Sequence, residues 1–335
     1  CGGSPCCRRI CPAGISLSCP GKEEHMSMKI TAGLGRADDY LPFADAGADE
    51  FFIGYVPEEW TLKYGIHAPL NRREVLYYHV QIGSFSELEI LADMMHARKV
   101  PVRIACNALY YLPEQYPMIA EIIRSCMELG FYSFIIADPG LLLYLNTLGL
   151  AGQLHISVSG EFSEMNSYLT GRLIRSGVSR CIFHRKMSVT EMAGCVSSVG
   201  KNDMEWEAFA LNENCHFHGA FCNSLHCDEL SHICRLPYVF SSESGAPESP
   251  SSCSVETVTG STGCAFCALA KLRKAGITHL KIVGRGNYSA CMEQDIRALK
   301  KAIMILEASA SEEEYLLNMR SELFPRGCSG NCYYR

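Results

Sequence analysis

Four times along this chain a helical hydrophobic period ends at a glycine, and a short β-branched or aromatic run follows at once. Gly47 precedes Ala48 to Gly54, Gly130 precedes Phe131 to Asp138, Gly177 precedes Val178 to Phe183, and Gly276 precedes Ile277 to Val283. Glycine closes a helix because it adopts positive φ without steric cost, so each junction reads as a helix-to-strand joint. The runs Lys29 to Leu34, Val102 to Asn107, Leu154 to Ser159 and Glu205 to Leu211 complete a set of eight predicted strands separated by helical patterns. Eight β-α units in 335 residues point to a single α/β domain, a (β/α)8 TIM-barrel-like fold, rather than an open doubly wound sheet.

Barrel active sites gather where the strands end, so the strand C-termini supply the first candidate residues. They are Asn107, Asp138, His155 with Ser157 and Ser159, His184 with Arg185, Glu207 with Asn212, and Lys281 with Arg285. Each has a plainer alternative, which is to cap the following helix. Arg285 stands out, because Gly284 and Gly286 leave its guanidinium room to grip a carboxylate or phosphate.

Cysteine is the unusual component. The chain has 19, an odd number, and no sustained apolar run at its start marks a secretory signal. Reduced thiols in a cytoplasmic protein, some of them holding a metal, are therefore expected. Cys106, Cys126, Cys181 and Cys195 are scattered and read as small core hydrophobes. Five cluster in residues 1–25. There Lys22, Glu23 and Glu24 precede Met26 and fit a coding stretch like a bacterial ribosome-binding site, which makes translation from Met26 or Met28 the expectation. A small metal-binding or redox extension is the competing one. Residues 26–310 would form the barrel, and 311–335 a tail bearing Cys328 and Cys332, a second metal or redox site or a dangling end.

Seven cysteines fall between Cys215 and Cys267. Cys215, Cys222, Cys227, Cys234, Cys264 and Cys267 follow the seventh predicted strand, where thiolates can converge on a soft metal or an iron-sulfur cluster. Zinc is the rival, favoured by the Cys264-x2-Cys267 pair and by His216, His218, His226 and His232. The Cys-x3-Cys-x2-Cys run of the usual radical S-adenosylmethionine enzymes is absent, as are Gly-x-Ser-x-Gly and His-Glu-x-x-His. A Cys-His nucleophile remains open through Cys215 with His216 or Cys222 with His218. Iron and nucleophilic attack exclude one another at the same sulfur. A net charge of −6 argues against broad nucleic-acid binding, and no apolar run approaches the roughly 18 residues that cross a bilayer.

In four places the chain resembles peptidase family U32, the collagenase-like proteins. Ala46-Gly47-Ala48-Asp49 leading to Gly54 is similar to the family's first-unit signature. Asn107 resembles its third-strand Asn, and His155-Ile156-Ser157 with Asn166 its His-x-Ser segment. Ala275 to Arg285 is similar to its Ala-Gly-Val-x-x-Leu-Lys-Ile-x-Gly-Arg element. The resemblance implies a barrel carrying a [4Fe-4S] cluster on Cys215, Cys222, Cys234 and Cys267, with Cys227 and Cys264 as alternates. It also implies oxygen-independent hydroxylation of an RNA or a small aromatic substrate, catalysed by this chain or supported by it beside a partner of the same family. Within that scheme Arg285 and Lys281 anchor an anionic group, and His155, Asp138 and Glu207 handle protons. A collagenase-like cysteine peptidase and a non-catalytic iron-sulfur partner are the alternatives. Where the family often has Arg-Glu after its sixth strand this chain has Arg185-Lys186, which puts a carboxylate there in doubt.

Overall fold

The computed structural model describes residues 27–65, 68–72, 80–162, 165–200, 202–215, 259–260 and 262–334. Eight parallel strands form a closed barrel: β1 (Lys29–Gly33), β2 (Glu50–Gly54), β3 (Val102–Cys106), β4 (Ser133–Ile136), β5 (His155–Val158), β6 (Val178–Ile182), β7 (Glu205–Leu211) and β8 (His279–Ile282). β8 closes on β1 with Lys29 opposite His279 and Thr31 opposite Lys281. The helices are α1 (Tyr40–Ala46), α2 (Glu58–Tyr64), α3 (Phe85–Arg98), α4 (Tyr116–Glu128), α5 (Pro139–Thr147), α6 (Ser167–Arg175), α7 (Val189–Ser198), α8 (Leu269–Lys274), α9 (Ser289–Ala308) and α10 (Glu312–Leu323).

The four predicted joints hold, with φ of 110° at Gly47, 92° at Gly130, 79° at Gly177 and 88° at Gly276. A side chain at any of them would be strained, so the chain reverses there at little cost. Outward-facing strand residues such as Ile30, Phe51, Ile104, Phe134, Ile156, Cys181, Ala208 and Leu280 are buried under the helices. α4 answers them with Ile119, Ile122, Ile123 and Cys126, spaced to lie along one face. Cys106, Cys126, Cys181 and Cys195 are all buried, as expected of core thiols. The segment expected as a C-terminal tail instead contains α10, whose buried Tyr315 donates a hydrogen bond to the Phe266 carbonyl at 2.7 Å.

Inside the barrel the alternation of the strands places charge rather than hydrocarbon. Arg180 lies 2.7 Å from Glu50, 2.7 Å from Glu205 and 2.8 Å from Glu207. Arg103 approaches Glu50 at 3.0 Å, and Lys281 approaches Glu207 at 2.8 Å. Three cations therefore face three carboxylates, and their closeness offsets the cost of taking them out of water. Burial pushes the Glu207 carboxyl up, but Lys281 and Arg180 pull it further down, from 4.5 to about 2. Desolvation likewise raises Glu50 and is overcome by His279 at 3.2 Å, by hydrogen bonds from Arg180 and by the charge of Arg103, which leave it well below the usual carboxylate range.

Arg180→Leu strands three carboxylates without their shared cation and is expected to cost about 3–5 kcal/mol in urea unfolding; a loss under about 1 kcal/mol would refute the network's role. Glu207 is depressed in the folded chain, so the unfolded chain takes up its proton first on acidification. Its contribution is whole above pH 4.5 and disappears as pH falls toward about 2. Thermal unfolding followed from pH 6 down to pH 2 should show the wild type losing stability more steeply than Glu207→Gln across that window.

Candidate functional site

Above the charged layer the barrel opens at the C-terminal ends of its strands into a pocket of about 660 Å³, counting its mouth. Phe52, Ala105, Ile135, Ile182 and Phe209 make an apolar floor, and Arg72, Arg185, Lys281 and Arg285 line it with Glu161 and Glu213. Lys281 is matched by Glu207 beneath it and Arg185 by Glu161 at the rim, so the polar lining consists chiefly of guanidinium and ammonium donors. Such a pocket favours an anionic ligand with an apolar body.

Arg285 follows β8 through Gly284, whose φ of 116° turns the chain across the barrel mouth. Its side chain is buried, and Nη2 donates to Asn71 Oδ1 at 3.0 Å. Gly54 makes room for it, because a Cβ there would overlap Arg285 Nη1 and press on the Asn71 amide. Lys281 Nζ sits 3.8 Å from the centroid of the Phe52 ring. Desolvation lowers its pKa, and the Glu207 charge works against that shift. The Arg185 guanidinium lies 4.1 Å over the Phe209 ring and 3.1 Å from Glu161, while Nε donates to the Glu213 carbonyl at 3.0 Å. Arg72 is 4.0 Å from Glu161, and its backbone N–H donates to Asn107 Oδ1 at 3.1 Å.

The expected site residues divide by height and by role. Arg285 and Lys281 line the pocket, with Asn107, Ser159 and Arg185. Glu207 lies one layer below, held by Lys281 and Arg180. His155 was expected at a strand C-terminus, but it is the first residue of β5, at the opposite end of the barrel. β5 has only four residues, so His155, Ser157 and Ser159 point inward at three heights and only Ser159 reaches the mouth. Arg103 donates to His155 Nδ1 at 2.9 Å, which assigns the imidazole proton to Nε2, 3.5 Å from Glu205. Desolvation, then the Arg103 charge, holds the His155 pKa down, in keeping with a neutral ring.

Asp138 caps α5 instead of facing the pocket. It accepts from the backbone of Gly140 at 2.7 Å and Tyr111 at 2.9 Å, and from the Tyr116 hydroxyl at 3.1 Å. Asn166 similarly caps α6 by accepting from Leu169 N–H at 3.0 Å, and Asn212 bonds to Asp295 at 2.8 Å. The carboxylate doubted after the sixth strand has a counterpart from elsewhere, in Glu161 and Glu213. Neither they nor Arg72 was singled out in the sequence, because they sit on loops with no periodic signal.

Of the expected cluster ligands, Cys215 and Cys267 are described, as is the alternate Cys264, and all three are half-buried. Cys222, Cys227 and Cys234 lie outside the described residues. The two flanks of the Cys-rich segment are joined, since Asn212 N–H donates to the Gly263 carbonyl at 2.9 Å and Asn214 N–H to the Thr262 carbonyl at 2.7 Å. Among the described residues the one group of three or more metal-type ligand atoms lying within 4.8 Å of one another is Glu50, Glu205 and His279. Arg103 and Arg180 already neutralise those carboxylates, so the trio belongs to the charge network.

Fold and pocket together define a parallel (β/α)8 barrel with a cationic, partly apolar site at its C-terminal mouth. A family model, Peptidase family U32, matches residues 36–335, and the chain belongs to that family. A search of curated proteins gave no match. Among solved structures the chain is similar to the U32 peptidase Mk0906, at 16% identity and a TM-score of 0.40 over 58% of this chain and 74% of that one. It is similar also to a native KDPGal structure, at 10% identity and a TM-score of 0.44 over 84% and 96% of the two chains. A thiamine phosphate pyrophosphorylase from Pyrococcus furiosus shares 7% identity and a TM-score of 0.43, covering 83% of this chain and 96% of that one. No helix among the described residues is long and apolar enough to cross a membrane.

The Gly54 contact yields a prediction for the pocket. Gly54→Ala pushes Arg285 off Asn71 and should weaken binding of inorganic phosphate about tenfold or more, the worth of a charge-assisted hydrogen bond. Calorimetric titration measures the affinity, and far-ultraviolet dichroism checks that the barrel persists. An unchanged affinity would show that Arg285 does not hold the anion.

Proposed function

We propose that this U32 protein is an iron-sulfur barrel enzyme of a reducing cytoplasm that brings about oxygen-independent hydroxylation of an anionic substrate. The substrate is an RNA or a small aromatic molecule, and the chain acts alone or with a partner of its own family. The observation that carries the reading is the pocket itself. Buried Arg285 and Lys281 stand over an apolar floor at the barrel mouth, and Cys215 leaves β7 at the same end.

The thiol donor set suits a soft iron centre, with Cys215, Cys222, Cys234 and Cys267 as ligands and Cys227 and Cys264 as alternates. When bound, the cluster supplies or relays electrons. The chain's own residues bind and orient. Arg285, fixed by Asn71, receives the anionic group, and Phe52 and Phe209 offer ring faces to an aromatic body. Glu207, ionised between Lys281 and Arg180, keeps the Lys281 ammonium pinned at 2.8 Å beneath the ligand. Asp138 and His155 are assigned positioning roles, one on α5 and one in the lower charge network.

Family membership also supports a peptidase reading. That reading needs a free thiolate at Cys215 or Cys222, which iron would occupy.

Anaerobic purification with iron and sulfide analysis separates these readings. The expected product is brown, with broad absorption near ~400 nm. Arg285→Ala should abolish the modification while leaving iron content unchanged. Protein that takes up neither iron nor sulfide on reconstitution and cleaves denatured collagen would replace the hydroxylase with the peptidase. Product levels unchanged by Arg285→Ala would mark a non-catalytic partner.

A further inference from the structure

Two cysteine pairs far apart in sequence, Cys264-x2-Cys267 and Cys328-x3-Cys332, are joined beside the C-terminal end of β7 through Cys264 and Cys332. Cys264 bridges Leu211 in antiparallel fashion on one side and Cys332 in parallel fashion on the other. Its N–H donates to the Asn331 carbonyl at 2.9 Å, and its carbonyl accepts from Tyr333 N–H at 2.9 Å. Adjacent strands lie about 4.8 Å apart, so these bonds bring one member of each pair side by side. Ser329 Oγ donates to the Gly260 carbonyl at 2.9 Å and holds the intervening turn against the same ladder. Cys267, Cys328 and Cys332 all lie close enough for their charges to act on Cys264 and on Arg320 of α10.

The surroundings suit bound thiolates. Phe266 N–H points at Cys264 Sγ, 3.5 Å away, the arrangement in which a Cys-x2-Cys turn steadies its first sulfur. Arg320 Nη2 approaches Cys267 Sγ at 3.6 Å. Donors of this kind orient metal-bound sulfurs and spread their charge. Cys264, Cys267 and Cys332 are half-buried and Cys328 is exposed, so an ion has a path in. No three of the sulfurs lie within 4.8 Å of one another, so closing on an ion takes a change of cysteine rotamers. Gly327 and Gly330, with φ of 92° and 71°, flank Cys328 and give the 328–332 turn its freedom.

We propose that Cys264, Cys267, Cys328 and Cys332 bind one zinc ion that clasps the C-terminal segment to β7 and α10. Four thiolates in two short-spaced pairs match the tetrahedral, all-sulfur sites that zinc occupies structurally. The clasp rests on the proposed iron set in its alternate form, with Cys227 in place of Cys267 and Cys264 unused. Cys215, Cys222, Cys227 and Cys234 then remain for the cluster, so iron and zinc report on separate sulfurs.

Elemental analysis with thiol alkylation mapped by mass spectrometry tests the clasp on the full chain purified without added zinc. The expected result is one zinc per chain, with these four cysteines protected from alkylation until a strong chelator is added. C328S/C332S should lose the zinc and keep whatever iron the wild type carries. Should that variant aggregate, the wild-type protection map decides alone, together with uptake of cobalt(II) giving thiolate-to-metal absorption. The clasp is overturned by alkylation of the four thiols at an unprotected rate, by a Cys264–Cys332 disulfide in the map, or by loss of iron instead of zinc from C328S/C332S.

Discussion

The ion-pair network inside the barrel sets the terms for everything built on it. A barrel interior is ordinarily filled by branched hydrocarbon side chains. Here Arg103, Arg180 and Lys281 answer Glu50, Glu205 and Glu207 across strands from around the whole circumference. Charge inside a closed sheet is tolerable only while every member keeps its partners, so the network demands the register that brings them together. Lys281 belongs to this network from below and to the pocket from above. Its partner Glu207 thereby joins the stability of the barrel to the electrostatics of the mouth.

Much of the architecture was legible because it rests on local rules. The glycines at 47, 130, 177 and 276 report a backbone need that no other residue meets cheaply, and a strand begins within three residues of each. Height within the barrel was not legible. His155 and Ser159 share one inward face, and sequence offers no ruler for which end of a four-residue strand a side chain occupies. Asp138 looked like a pocket carboxylate because a cap and a catalytic acid use the same residue type beside the same strand end. Arg72, Glu161 and Glu213 come from loops, and α10 was passed over because its burial depends on a tertiary partner, the turn at Phe266.

The mouth combines rigid and loop-borne parts. Arg285 and Lys281 stand on β8 and its extension, placed by glycines at positions 54 and 284. Arg185, Glu161 and Glu213 form a rim whose hydrogen bonds link the ends of β5, β6 and β7. The rigid part presents the buried cationic groups to the mouth, and the loop-borne rim gives the mouth its outline.

Tyr333 stacks on Phe209, 6.1 Å between ring centroids, while Arg185 lies over that same Phe209 ring. Tyr334 adds a hydrogen bond to the Phe209 carbonyl at 3.0 Å. The last described residues thus serve as masonry for the wall of a cavity whose other bricks come from the middle of the polypeptide. Losing the Tyr333 and Tyr334 rings would reshape the chamber while leaving the eight-stranded cylinder intact.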